Sequence, residues 1–220
     1  NPADQAALLA LDKHLDIRAL DVTDPASITT CVEGVIKGHG SVDVLINNAG
    51  IHLLGAVEDM PDDDFRRSFE TNFFGAMNLT RAVLPHMRRA GRGHVITISS
   101  VGSRMGRVAD GAYCASKAAV EIMMEALRYE VMRFGIQVAV VCPGAYKTGI
   151  SRNFQSLNLP TGTAYGDLLD FRAAKVRASC AGGGDPAEVV AAIKAIADNP
   201  APPFRHVIGE QAQALNQSMS

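Results

Sequence analysis

The chain has no apolar run approaching the roughly 18 residues that a membrane-spanning helix needs, so no transmembrane span is expected. It has no CxxC pair and no His-rich tract. Its four cysteines, Cys31, Cys114, Cys142 and Cys180, are widely spaced. This argues against a disulfide frame and a zinc site and points to reduced thiols in a cytosolic protein. Neither sign of charge dominates: 21 Lys and Arg stand against 23 Asp and Glu, a net −2 with pI near 6.3. That balance argues against nucleic acid or an anionic membrane surface as the main partner. The short clusters Arg66-Arg67 and Arg88-Arg89 read as solvated helix faces. There is no internal repeat, no visible signal peptide and no initiator Met, so anything upstream is unseen.

What is present suits one large α/β domain: 220 residues, 47% of them hydrophobic. Apolar runs at Leu15–Val22, Val42–Ile46, His94–Ser99, Ile136–Val141 and Phe204–Gly209 read as strands. Between them, helical patterns cover 3–13, 25–37, 62–89, 111–134 and 185–197. Asp24-Pro25 and Asp185-Pro186 are N-terminal signals, and Gly38-His39-Gly40 and Gly135 are stops. Pro85 is expected to bend or end the last turns of the long 62–89 helix. Strands alternating with helices imply a doubly wound parallel sheet covered on both faces.

The most informative residues are Tyr113 and Lys117, four positions apart at the start of a helix. Positions i and i+4 share a helix face, so phenol and ammonium can converge on one point. A phenol titrates near ~10 in water, and a cation within about 4–6 Å pulls that value down. Such a pair can give or take the proton that a carbonyl or alcohol exchanges when a hydride moves at its carbon. Three further features stand in order before it. Asn47-Asn48-Ala49-Gly50 ends one strand, Asn72 sits inside the long helix, and Ser99-Ser100 ends another strand, Ser100 lying thirteen residues before Tyr113.

This combination resembles the short-chain dehydrogenase/reductase family over essentially the whole chain. The resemblance implies a Rossmann-like single domain over 1–220, with NAD or NADP as cofactor and a secondary alcohol/ketone pair as substrate. It implies Tyr113 as general acid/base, Lys117 lowering the tyrosine pKa and holding the nicotinamide ribose, and Ser100 on the substrate oxygen. Asn72 would hold a water that relays protons to Lys117, while Ser99 would face the opposite way. Cofactor contacts carried over are Asp21 and Val22 for the adenine, and Asn48, Ala49 and Gly50 beside the adenosine ribose. Pro143, Gly144 and Thr148 would lie against the nicotinamide. The long helices at 62–89 and 111–134 suggest a homodimer or homotetramer, again by resemblance.

The family's opening strand, glycine-rich turn and helix cradle the cofactor pyrophosphate. The spacing Gly-x-x-x-Gly-x-Gly occurs here as Gly34-Val35-Ile36-Lys37-Gly38-His39-Gly40, but at the end of the 25–37 helical pattern and not as a turn between a strand and a helix. The expectation is that the first βαβ unit belongs to the natural protein upstream; the competing reading is a degenerate protein that lost its cofactor loop. Residues 149–183 should form the variable lid over the substrate, and Phe154, Leu157, Leu159, Tyr165, Leu168, Leu169 and Phe171 within it suggest a hydrophobic substrate. Those side chains could equally pack on the core or on a neighbouring subunit. His52, just after the Asn-Ala-Gly turn, either edges the cleft or is merely solvated. Two other functions remain: a non-catalytic sensor of nicotinamide cofactors, and an epimerase or lyase using the same Tyr/Lys pair. The acid or arginine that selects NAD over NADP would sit at the end of a strand that is not in this sequence.

Overall fold

Four of the five apolar runs form a sheet, two as central strands and two as its edges. In a computed structural model, which describes residues 2–148, 150 and 162–218, the strands are β1 (Val44–Asn47), β2 (Gly93–Ile98), β3 (Ile136–Pro143) and β4 (Arg205–Ile208). They lie side by side in that order and all run parallel. Ile46 sits opposite Ile96, Ile96 opposite Ala139, and Val140 opposite Arg205. Parallel neighbours cannot be joined by hairpins, so each connection crosses over through helix.

The helices are α1 (Pro2–Leu11), α2 (Pro25–His39), α3 (Asp62–Phe69), α4 (Ala76–Ala90), α5 (Gly111–Val131), α6 (Gly166–Ala181), α7 (Pro186–Ala197) and α8 (Glu210–Ser218). On one face of the sheet Val95, Val138 and Val140 pack with Ile28 and Val32 of α2, Val83 and Met87 of α4, and Val120 and Met124 of α5. On the other, Ile96, Ala139 and Val141 meet Ile196 of α7. Burial on both faces is why β2 and β3 are continuously apolar, whereas β1 exposes Val44 and Ile46 on one face. Asp24 and Asp185 cap α2 and α7 through their carboxylates to the amides of Ala26 and Ala187, each followed by proline at the first helical position.

Two expectations change. Leu15–Val22 joins no strand ladder among the described residues and ends in a turn at Val22. Its backbone bonds locally instead: Leu15 N–H to the Asp12 carbonyl, and Asp21 N–H to the Ser27 hydroxyl. Val22 still packs against Gly75 and the edge of the core. The helix expected at 62–89 is three pieces, because Glu70–Gly75 is a π-helical turn between α3 and α4. That turn carries Asn72 inward, where its amide holds both backbone groups of Ile51. A π-turn inside a helix commonly marks a functional position. Pro85 is accommodated without ending α4, which runs on to Ala90.

Strands β1, β2 and β3 run parallel and end on the same side of the sheet, delivering Asn47-Asn48, Ser99-Ser100 and Pro143-Gly144 together. In an open parallel sheet, ligands bind beyond these carboxyl ends.

Candidate active site

Strand alternation sends the two serines after β2 in opposite directions. Ser99 Oγ donates to the buried Glu121 carboxylate at 2.6 Å. Ser100 Oγ accepts the Gly102 amide at 3.0 Å, capping a short 3-10 turn over Val101–Arg104, and lies near enough to the Tyr113 hydroxyl to pull its pKa down. One turn along α5 from Tyr113, Lys117 directs Nζ to the Ile98 carbonyl at 2.8 Å. Both side chains are almost enclosed, at 6% and 5% exposure. Gly50 keeps the space beside them open: a Cβ there would stand 3.3 Å from Asn72 Oδ1 and 3.4 Å from Lys117 Nζ.

Burial governs the titration of this pair. It raises the Tyr113 phenol above its usual range, against the opposing pull of the Ser100 hydroxyl and the Arg107 guanidinium. It also lowers Lys117, to about 8, with the neighbouring Cys142 and Glu121 working weakly the other way. The expectation that Lys117 draws the phenol down is therefore corrected. Desolvation disfavours the charged form of each group, phenolate and ammonium alike, and Nζ is held by the Ile98 carbonyl.

Asn72 bridges three elements. Oδ1 accepts from the Ile51 amide at 2.8 Å, and Nδ2 donates to the Ile51 carbonyl at 2.9 Å and to Ser116 Oγ at 3.0 Å. Both amide protons are used, leaving one lone pair of Oδ1 for a water. Its first effect is to fasten the loop after β1 to the catalytic face of α5.

These groups open into a cavity of about 670 Å³. Asn48, Gly50, Ser100, Tyr113, Lys117, Pro143, Gly144 and Thr148 all contribute to its wall. A cradle without a Cβ at Gly50, a backbone turn at Pro143-Gly144 and an ammonium at Lys117 fit the nicotinamide end of a dinucleotide. The adenine-end residues are not brought to this wall. Asp21 lies away from it, its carboxylate accepting from the Thr23 amide and hydroxyl, and Val22 and Ala49 are likewise absent from the lining. Of the lid residues, Phe154, Leu157 and Leu159 lie outside the described residues. Leu169 is core, Leu168 and Phe171 are exposed, and Tyr165 bonds Glu58.

A second polar network lies around Tyr113 and Lys117. His52 is buried, not solvated, and stacks on the Tyr113 ring with centroids 4.0 Å apart and planes 25° from parallel. Its Nε2 is 2.9 Å from the carboxylate of Asp110, which is wholly buried and also pairs with Arg172 of α6. The two bonds hold Asp110 below its ordinary pKa despite its burial. Behind Lys117, Glu121 receives Ser99, Ser103, Cys142 and Arg205. A polar residue two or three places before the Tyr/Lys pair is the one local signal that could have pointed to Asp110.

Comparison with known proteins places the chain in a family. Residues 3–158 match the family model described as short chain dehydrogenase. The chain is 40% identical over 198 residues to a 3-ketodihydrosphingosine reductase of Bacteroides thetaiotaomicron, covering 89% of this chain and 73% of that protein. It is 36% identical over 207 residues to human retinol dehydrogenase 8, covering 91% and 66%. A crystal structure of a short-chain dehydrogenase from Streptomyces avermitilis superposes with TM-score 0.86 at 36% identity, covering 96% of this chain and 78% of that one. Each of these relatives is longer than the part this chain spans. The chain belongs to the short-chain dehydrogenase family, the NAD- or NADP-dependent oxidoreductases of alcohols and ketones.

Proposed function

We propose that this chain carries the hydride-transfer site for a secondary alcohol/ketone pair with a hydrophobic body. The observation that carries the reading is the Ser100–Tyr113 hydroxyl pair, enclosed at the base of the cavity with Lys117 beside it. The nicotinamide cofactor, when bound, supplies or accepts the hydride. Ser100 orients the substrate oxygen, and Tyr113 donates its proton to that oxygen in reduction or takes it in oxidation. Because burial raises the phenol, Tyr113 is protonated at neutral pH and loaded as an acid for ketone reduction. Lys117, held by the Ile98 carbonyl, is placed to bind ribose hydroxyls, with Asn48, Gly50, Pro143, Gly144 and Thr148 shaping the same wall. Asp21, Val22 and Ala49 keep their assignment to the adenine end only as part of this proposal.

Apolar wall residues Val101, Val176, Val189, Val190, Ile193 and Leu215 favour a hydrophobic substrate. The relatives' names fit, one naming a keto compound and the other an alcohol. In this reading residues 149–183 cover the substrate within one nucleotide-binding domain, and α6 brings Arg172, Val176, Ser179 and Cys180 to the wall. Exposed Ile122, Tyr129 and Met132 on and just after α5 support assembly as a homodimer or homotetramer; a monomeric mass by light scattering would remove that part. Four cysteines without disulfides support a cytoplasmic location; recovery of the protein only with membranes on cell fractionation would count against it.

The test is Tyr113→Phe, assayed with NADH and NADPH over a panel of ketones. Loss of a positioned proton donor typically costs ~10²–10⁴ in rate, and cofactor affinity should be retained. Undiminished turnover in that variant would falsify the mechanism, and a cofactor bound with no turnover of any ketone by the unaltered chain would favour the sensor reading.

A further inference from the structure

The cavity wall carries more positive charge than the proposed chemistry uses. Arg107 lines the cavity, half-buried, and is close enough to Tyr113 and Cys114 to influence both. Among the described residues its guanidinium has no hydrogen-bond or ion-pair partner. The adjoining stretch 149–161 contains no Asp or Glu that could supply a carboxylate. Arg172 lines the same cavity with its side chain 14% exposed. One of its terminal nitrogens pairs with Asp110, but its Nε is buried and unpartnered. A buried donor without an acceptor costs on the order of 1–3 kcal/mol, so a ligand acceptor is favoured there.

The charges of this wall do not cancel. Asp110 offsets one of Arg107, Arg172 and Lys117. Glu121 lies behind Lys117 and is itself paired with Arg205. The same cavity is also lined by Val176, Val189, Val190, Ile193 and Leu215. A cavity with both characters suits an amphipathic ligand, and guanidinium forks are suited to planar, bidentate oxyanions.

We propose that the substrate bears an anionic oxygen group, a carboxylate or a phosphate, bound by Arg107 with Arg172 Nε, while its apolar body lies against the valine, isoleucine and leucine wall. This rests on the oxidoreductase reading of the same site and adds the substrate class. Arg107 is then a specificity-determining residue. Arg172 has a second duty on Asp110, so Arg107 is the residue to alter.

The experiment compares oxodecanoic acids of differing carbonyl position with their methyl esters and with the corresponding ketones carrying a terminal phosphate. The reductions are followed by cofactor oxidation with the full chain and with Arg107→Gln and Arg107→Lys. A charge-assisted hydrogen bond predicts kcat/KM for the acid or the phosphate roughly ten- to hundredfold above the ester, mostly in KM. Arg107→Gln should bring that ratio close to one, and Arg107→Lys should restore part of it. Preference for the acid identifies a carboxylate, and preference for the phosphate identifies a phosphate. An ester reduced as well as both anions, or a ratio unchanged in Arg107→Gln, overturns the proposal and leaves the oxidoreductase reading intact. A loss of NADH or NADPH affinity in Arg107→Gln without a change in the ratio also overturns it, assigning the arginine to the cofactor. Calorimetric titration with decanoate, decyl phosphate and decanol reads the anion site without turnover. Equal binding of all three overturns the proposal even where no ketone is reduced.

Discussion

Replacing Lys117 with methionine should stabilise the protein at neutral pH and destabilise it in strong alkali. Methionine keeps most of the lysine stem and removes the charge. The buried ammonium has its pKa depressed from 10.5 to about 8. At about 1.36 kcal/mol per unit, holding it charged in the folded state costs about 3 kcal/mol at pH 7. Against this, the substitution removes the hydrogen bond from Nζ to the Ile98 carbonyl. Leaving that acceptor unpaired costs roughly 1–3 kcal/mol, and the lower end applies because Ile98 borders the cavity and water can reach it. The net gain is about 1–2 kcal/mol, or roughly 2–8 °C in Tm for a chain of this size.

The sign with pH follows from the direction of the shift. A depressed folded-state pKa means that unfolding takes up protons between about 8 and 10.5. Wild-type stability relative to the variant is therefore lowest below about 8, climbs through that window, and is fully restored above 10.5. There only the lost hydrogen bond remains, and the variant becomes the less stable protein by about 1 kcal/mol. Urea unfolding of both proteins at several pH values tests this, because all other titrating groups cancel in the difference. A difference independent of pH would refute the buried-ammonium argument, as would a methionine variant already weaker at neutral pH. A stabilised but inactive variant would mark Lys117 as kept for function at a cost in stability.

Asp110→Asn should cost about 3 kcal/mol, since it leaves Arg172 a largely buried cation without its partner; urea midpoints within 0.5 kcal/mol of wild type, by the usual scatter of neutral surface changes, would contradict this. Adding Arg172→Gln should recover part of the loss, a coupling that a double-mutant cycle reads directly. Gly91→Ala and Gly135→Ala separate strain from collision. Both glycines have positive φ, +68° and +73°, but a Cβ at Gly91 meets nothing within 4 Å while one at Gly135 falls 2.4 Å from the Gly91 carbonyl oxygen. The first should cost about 1–2 kcal/mol and the second clearly more, as measured by thermal unfolding; equal costs would mean that the loop relaxes freely.

The features legible in the sequence are those set by near neighbours. Ile136–Val141 is a strand buried on both faces, which leaves a continuous apolar run, whereas Val42–Ile46 has the same composition but buries only one face, Val44 and Ile46 being exposed. Asp24-Pro25 and Asp185-Pro186 start helices through bonds spanning two residues. Ser100, Tyr113 and Lys117 converge because a strand end and one helical turn fix them. Leu15–Val22 has a strand's composition, but a strand exists only with a neighbour, and local bonds took its backbone instead. The π-turn depends on Asn72 reaching Ile51, and the Asp110 network joins residues 58 and 62 positions apart. No short motif encodes such contacts.

Spacing also could not disclose the medium in which the Tyr/Lys pair titrates. Read from the motif, a lysine cation lowers a tyrosine. In the folded chain burial raises Tyr113 and brings Lys117 to about 8, so the ammonium is the first of the two to lose its proton. Raising the pH alone thus discharges Lys117 before it yields a phenolate. The order follows from the burial of both side chains on α5, which packs against β3.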